Sequence, residues 1–185
     1  MKKTCLLSLL LSLVLVLPSA LHAQATAAAT RGGIIQAGAA YTYSNEDEYP
    51  GKHLQGMTLY GTFDLNNHIG VEGNVHLASV FKSYFDYKEN SIDGGLRWAQ
   101  HYRRFTPYAK ALVGFGHATA PSPKQIVGGS TPGTYFLFGL GGGLDYGLTE
   151  KINLRADFEY QRWPNFPPHG LTPPLLSFGA AYRFR

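Results

Sequence analysis

The chain has 185 residues, a single cysteine and a formal net charge of +4. Lys2 and Lys3 supply two of those charges, and beyond them only Arg103-Arg104 forms a basic doublet, so no basic patch invites nucleic acid. Cys5 lies in the apolar leader, which leaves the mature chain without a disulfide or a thiolate metal site.

Residues 1–23 read as a secretory signal. Lys2 and Lys3 form the positive start, Leu6 to Leu17 the apolar centre, and Pro18-Ser19 the break before small residues. Cleavage is expected after Ala23 or Ala25. The apolar run falls short of the ~18 residues of a spanning helix. Cys5 sits inside the leader and not at its cleavage point, which excludes a lipoprotein signal. Residues 24–32 are a small-residue linker, and residues 33–185 are long enough for one domain. Glycine (22), tyrosine (12) and phenylalanine (11) are abundant, a composition suited to twisted, closely packed strands with aromatic belts.

From Gly33 onward, apolar and small or polar residues alternate with a period of two, the signature of strands with two different faces. We read eight such segments. The first spans Gly33 to Ser44, with Ile35, Ala37, Ala39, Tyr41 and Tyr43 on one face. The second, Leu54 to Leu65, sets Met57, Leu59 and Phe63 against Thr58, Tyr60, Thr62 and Asp64. The third, Ile69 to Leu77, sets Val71 and Val75 against Glu72, Asn74 and His76. The fourth, Tyr87 to Ala99, sets Ile92, Leu96 and Trp98 against Asp93 and Arg97. The fifth, Phe105 to Ala118, sets Val113 and Phe115 against Tyr108 and Lys110. The sixth, Gly133 to Gly147, sets Phe136, Phe138, Leu140, Leu144 and Tyr146 against glycines and Asp145. The seventh, Lys151 to Trp163, is the clearest: Ile152, Leu154, Ala156, Phe158 and Tyr160 alternate with Asn153, Arg155, Asp157, Glu159 and Gln161. The eighth, Leu175 to Arg185, sets Leu176, Phe178, Tyr182 and Phe184 against Ser177 and Arg183.

The connections alternate short and long. Asn66–His68, Gln100–Arg104 and Leu148–Glu150 are short, whereas Asn45–His53, Ser79–Asp86, Thr119–Pro132 and Pro164–Pro174 are longer. That rhythm, an even strand count and no helix to cover the apolar faces point to one solution. It is an all-β fold, an eight-stranded antiparallel up-and-down transmembrane β-barrel with both termini periplasmic. The charged faces then turn inward. Glu72, Asp93, Arg97, Lys110, Asp145, Arg155, Asp157, Glu159 and Arg183 are expected to form a salt-bridged lumen network, in a barrel narrow enough for side chains to fill. Interface aromatics are expected at Tyr41, Tyr43, Tyr160 and Trp163 on the outer side and at Trp98, Tyr146, Tyr182 and Phe184 on the periplasmic side.

Three stretches carry a resemblance: the first strand from Gly33 through Tyr43, the run from Arg103 to Lys110, and the ending from Ser177 to Phe184. With the leader, they resemble the small outer-membrane β-barrel superfamily that includes the OmpA transmembrane domain and the opacity-type porin-like proteins. The resemblance covers nearly the whole mature chain and implies a Gram-negative outer-membrane location. It also implies contact with outer-membrane lipid and lipopolysaccharide, and recognition of the last strand by the barrel-assembly machinery. One departure is that Phe184 is penultimate and Arg185 last, where family members often end on an aromatic residue. No cell-wall-binding domain follows the barrel, so a tethering role is not carried over.

Chemistry is sparsely signalled. The mature histidines, His53, His68, His76, His101, His117 and His169, are scattered, and none has a serine two residues away on its own face. A lipid A-modifying barrel enzyme would need such a pair, oriented by a carboxylate. His76 and Glu72 share a face, but a hydrogen-bonded lumen histidine is the simpler reading, and no metal or other cofactor is assigned. Gly139 to Gly143 lacks the Lys-Ser/Thr pair and following helix of a phosphate loop. The expectation is a non-enzymatic outer-membrane protein with a structural or surface-interaction role and no general diffusion pore. A small or gated channel is the alternative. An external ligand or host surface would meet the long loops, those around Thr119–Pro132 and Pro164–Pro174 above all.

Overall fold

A computed structural model describes residues 33–45, 53–79, 88–119, 133–167 and 169–184. The expected signal (1–23) and linker (24–32), Arg185, and most of the three connections before β2, β4 and β6 lie outside the described residues. Eight strands form one closed antiparallel barrel in chain order. They are β1 (Ile34–Asn45), β2 (His53–Asp64), β3 (Ile69–Ser79), β4 (Lys88–Ala99), β5 (Phe105–Thr119), β6 (Gly133–Gly147), β7 (Ile152–Arg162) and β8 (Pro174–Phe184). Every strand is long enough for a tilted crossing, which needs ~9–11 residues.

The short connections are fixed by their own side chains. Asn66 Oδ1 accepts from the amides of His68 and Ile69 at 2.9 and 2.8 Å, and closes the β2–β3 turn. Thr149 Oγ1 does the same for Lys151 and Ile152 in the β6–β7 turn. Arg103 takes a left-handed φ of 49° between β4 and β5, next to the Tyr102–Phe105 bridge. The last connection is anchored at the opposite end. There Trp163 and Leu171 form an isolated bridge, and Gly170, at φ 84°, supplies the left-handed residue that returns the chain to β8.

Burial follows the period of two around the whole wall. Along β3 every second residue is buried, and the exposed set includes Ile69, Val71, Val75 and Leu77. The outward faces of the other strands carry the remaining large apolar side chains, from Ile92 and Leu96 to Phe136, Leu140 and Phe178. The inward faces are polar, and the buried set includes seven carboxylates among the described residues. A soluble sheet would show the reverse, so the inside-out distribution is itself the mark of a lipid-facing wall.

Closure depends on the β1–β8 seam, which runs in register from Ile35 opposite Phe184 to Ser44 opposite Leu175. Gly179 sits in it where a Cβ would lie 2.1 Å from the Ala39 carbonyl oxygen and 2.4 Å from the Ala40 Cα. Backbone on one side leaves no room to yield. Gly179→Val should therefore cost at least about 3 kcal/mol of folding free energy and abolish the compact band of an unheated sample on a denaturing gel. Ala180→Val, one residue away on the exposed face, should keep that band.

Candidate functional site

The lumen is built in three tiers. The lowest, nearest the short turns, is an ionic waist. Arg155 forks onto Asp145, Nε to Oδ1 at 2.7 Å and Nη2 to Oδ2 at 3.1 Å, and its Nη1 reaches Glu72 at 2.9 Å. Arg97 donates to the same Asp145 Oδ2 at 2.5 Å and reaches Asp64 at 3.5 Å. Lys110 Nζ holds Asp157 at 2.8 Å, Glu159 at 2.8 Å and Glu72 at 3.2 Å. The Tyr108 hydroxyl donates a short hydrogen bond to Asp157.

Aromatic rings stack between the cations. The Arg155 guanidinium lies 4.1 Å from the Tyr60 ring centroid and 4.8 Å from that of Tyr108, and Arg97 lies 4.2 Å from Tyr108. Tyr60, Arg155, Tyr108 and Arg97 thus form one alternating column of ring and guanidinium. Each such contact contributes about 0.5–2 kcal/mol. The free space left at this height is about 10 Å³, lined by Tyr60, Glu72, Lys110, Arg155 and Asp157 among others. A single water needs roughly that much.

The middle tier is a relay of hydroxyls, amides and two carboxylates around His76. Thr42 bonds to Thr58 and Ser177, Thr58 bonds to His76 Nδ1 at 2.7 Å, and Asn74 donates to Asp93 at 2.9 Å. Gln161 Nε2 spans Asp93 at 3.3 Å and Glu159 at 2.8 Å, while its Oε1 accepts from the Trp163 indole at 3.0 Å.

The top tier is apolar. Trp163, Phe166, Leu171, Leu137 and Ala118 form a buried cluster with Tyr135 packed against it. The indole lies on Gly116, where a Cβ would approach Trp163 Cη2 to 2.1 Å. At the opposite end a recess of about 480 Å³ opens between the short turns, lined by Arg103, Arg104, Glu150 and Arg183, and reaches inward as far as Asp145.

The nine charged residues singled out from the sequence fall into two groups. Glu72, Asp93, Arg97, Lys110, Asp145, Arg155, Asp157 and Glu159 are all buried, and ion pairs or hydrogen bonds link them. Arg183 is half-buried at the short-turn end and meets Asn153 at 3.3 Å, not a carboxylate. Of the aromatics, Tyr41, Trp98, Tyr160, Tyr182 and Phe184 are exposed on the wall, and Tyr43 and Tyr146 are half-exposed. Trp163 departs from its expected place at the outer interface: it is 1% exposed and lies inside. Parity explains the difference. Asn153, Arg155, Asp157, Glu159 and Gln161 point inward, and Trp163 continues the same odd-numbered face. His76 is a lumen histidine hydrogen-bonded to Thr58, and the carboxylates that face it are Asp93 and Glu159 from other strands, not Glu72. Sequence alone gave Phe166 and Leu171 no role, because they lie in a connection without a period to read.

Residues 11–184 match the family model described as the outer membrane protein beta-barrel domain. The chain belongs to this family. It is therefore an outer-membrane β-barrel protein. Solved structures agree on the fold. Neisserial surface protein A is 17% identical, covers 82% of this chain and 97% of its own, and gives a TM-score of 0.65. OprG from Pseudomonas aeruginosa is 15% identical, with 83% and 97% covered and a TM-score of 0.61. Ail of Yersinia pestis, solved with the heparin analogue sucrose octasulfate, is 24% identical, with 82% and 99% covered and a TM-score of 0.57. A comparison with curated proteins gives no match.

In this outer-membrane barrel the waist dominates what a substitution would cost. Lys110→Met strands Glu72, Asp157 and Glu159 without their shared cation. It should lower the unfolding free energy by about 3–5 kcal/mol, read as a shift in the urea midpoint of barrel folded into lipid vesicles. A second cost is steric. Gly116→Val should destabilise through Trp163, and the double variant with Trp163→Ala should recover most of the loss. Additive losses in that cycle would show that the two sites act separately.

Proposed function

We propose that this barrel is a non-enzymatic, closed cylinder with a structural or surface-interaction role, and that its long connections face the cell exterior. Closure of the lumen carries the reading. A solute entering from the short-turn recess meets Asp145 clamped by Arg97 and Arg155. Past that waist, the Trp163–Phe166–Leu171 cluster fills the far end. Passage would break paired buried charges and then displace a packed apolar plug, each of which costs several kcal/mol. A general diffusion pore is not compatible with that cost.

Orientation follows the family's plan of short periplasmic turns and longer outer loops. Both termini then lie in the periplasm, residues 1–23 act as the export signal, and the last strand is the segment the assembly machinery would read. Trp98, Tyr146, Tyr182 and Phe184 mark the periplasmic interface, and Tyr41, Tyr43 and Tyr160 the outer one. The partners are outer-membrane lipid and lipopolysaccharide along the wall and an external ligand or host surface at the loops. A barrel of the same fold, Ail, has been solved with a sulfated ligand, so a sulfated sugar is one external ligand to try.

The arrangement of the wall argues against lipid chemistry. His117 is exposed on the lipid-facing side and bonds to the Thr134 hydroxyl at 3.1 Å. Its other cross-strand neighbour is Asn90, so neither partner is the carboxylate that would orient it as a base. Folded protein in planar bilayers should give a flat current trace, and discrete conductance steps would replace this reading with a channel. Lipid A from a strain expressing the protein should keep its mass, and a loss of acyl mass would restore the enzyme.

A further inference from the structure

We propose that the lumen binds one transition-metal ion of the zinc class through His76 Nε2, Asp93 Oδ2 and Glu159 Oε1. The three residues come from β3, β4 and β7, and one ligand atom from each lies within 4.8 Å of the other two. His76 Nε2 is 3.3 Å from Asp93 Oδ2 and 3.7 Å from Glu159 Oε1. Ligand atoms bound tetrahedrally at about 2.0–2.1 Å sit roughly 3.4 Å apart. Two edges of such a tetrahedron are therefore already close to size.

Three further observations point to a cation at this place. The first is an unpartnered atom. His76 is 3% exposed, its Nδ1 is held by Thr58, and its Nε2 has no hydrogen-bond partner although it faces two carboxylates. When Nδ1 donates to Thr58, the Nε2 lone pair points at two anionic oxygens, an arrangement that repels unless positive charge lies between them. The second is charge. Among the described residues, six buried carboxylates (Asp64, Glu72, Asp93, Asp145, Asp157 and Glu159) share the lumen with three buried fixed cations, Arg97, Lys110 and Arg155. Arg97 and Arg155 act at the waist. Lys110 takes the other oxygen of Glu159, Oε2, at 2.8 Å and leaves Oε1 toward His76.

The third is the surrounding shell, which resembles that of a built metal site. Ligating histidines have their second nitrogen held, as Thr58 does here. Thr58 is fixed in turn by Thr42, and Thr42 by Ser177. Asp93 is held by Asn74, and the Gln161 amide braces both carboxylates. The Trp163 indole fixes which way that amide faces, because it donates to Gln161 Oε1. One imidazole with two carboxylates suits zinc and its neighbours in the first transition row. Calcium and magnesium prefer more oxygen ligands than converge here. Buried on all sides, the ion would be structural, tying β3 and β4 to β7 across the lumen.

The test uses tag-free mature protein refolded from urea into detergent micelles with zinc sulfate or with EDTA, then desalted. Elemental analysis should find about one zinc per folded barrel after refolding with zinc, and the heat-unfolding temperature should be higher than after EDTA. His76→Gln, which keeps a hydrogen-bonding side chain, should lower bound zinc at least about tenfold. His117→Ala, on the outer wall, should leave it unchanged. Cobalt substituted for zinc should give the intense visible absorption of a tetrahedral site in the wild type. Folded wild-type barrel with no bound zinc and equal unfolding temperatures in zinc and EDTA would overturn the proposal and leave a proton on His76 as the cation. Zinc that remains on His76→Gln but is lost from His117→Ala would overturn it as well. If His76→Gln does not fold, the wild type still tests the proposal, because a folded wild-type barrel without bound zinc overturns it.

Discussion

Everything in this structure depends on backbone closure in a solvent that offers no hydrogen bonds. Within lipid, an open sheet edge leaves amides and carbonyls unpaired at a cost of several kcal/mol each. The β1–β8 seam removes that edge, and its register from Ile35–Phe184 to Ser44–Leu175 fixes where every inward side chain stands. Glycine at position 179 is the local concession that lets the two strands approach. Once the cylinder is closed, its two surfaces have opposite requirements. The outside must be apolar to face lipid. The inside must satisfy whatever polar groups it encloses.

Eight strands make a cylinder too narrow to be both polar and empty. The inward faces bring Arg97, Lys110 and Arg155 within reach of five carboxylates, and the bonds cross the lumen to strands far apart in sequence, such as Glu72 to Arg155. Buried ion pairs add little net stability compared with apolar packing, because desolvation offsets most of the attraction. Breaking one is another matter, since the partner left behind has no water to turn to. The network therefore acts less as glue than as a specification. It penalises any register or strand order in which a charge would be left alone.

The top tier shows how a narrow polar lumen ends. The last connection folds inward, and Trp163, Phe166 and Leu171 pack where the barrel would otherwise open. Gln161 joins this plug to the charged interior, with its carbonyl on the indole and its amide nitrogen on Asp93 and Glu159. Plug, relay and waist are thus one continuous set of contacts running along the axis. A cylinder filled in this way is a rigid platform for the connections it carries.

The strands were legible because lipid imposes a period of two that nothing else overrides. All eight fell within two residues of their expected bounds at every described end, and each charged residue expected inside was found off the lipid face. The same parity, followed one step further, would have placed Trp163 inside; its aromatic character suggested the interface instead. What the sequence could not determine was which inward groups meet. His76 faces Asp93 and Glu159, not Glu72, because strand stagger and barrel curvature decide neighbours across a lumen, and neither is written in one strand. Phe166 and Leu171 were equally hidden, since an irregular connection carries no period. Local chemistry along the chain determined the wall and its two faces. Only closure in three dimensions decided the pairs, the plug and the cluster around His76.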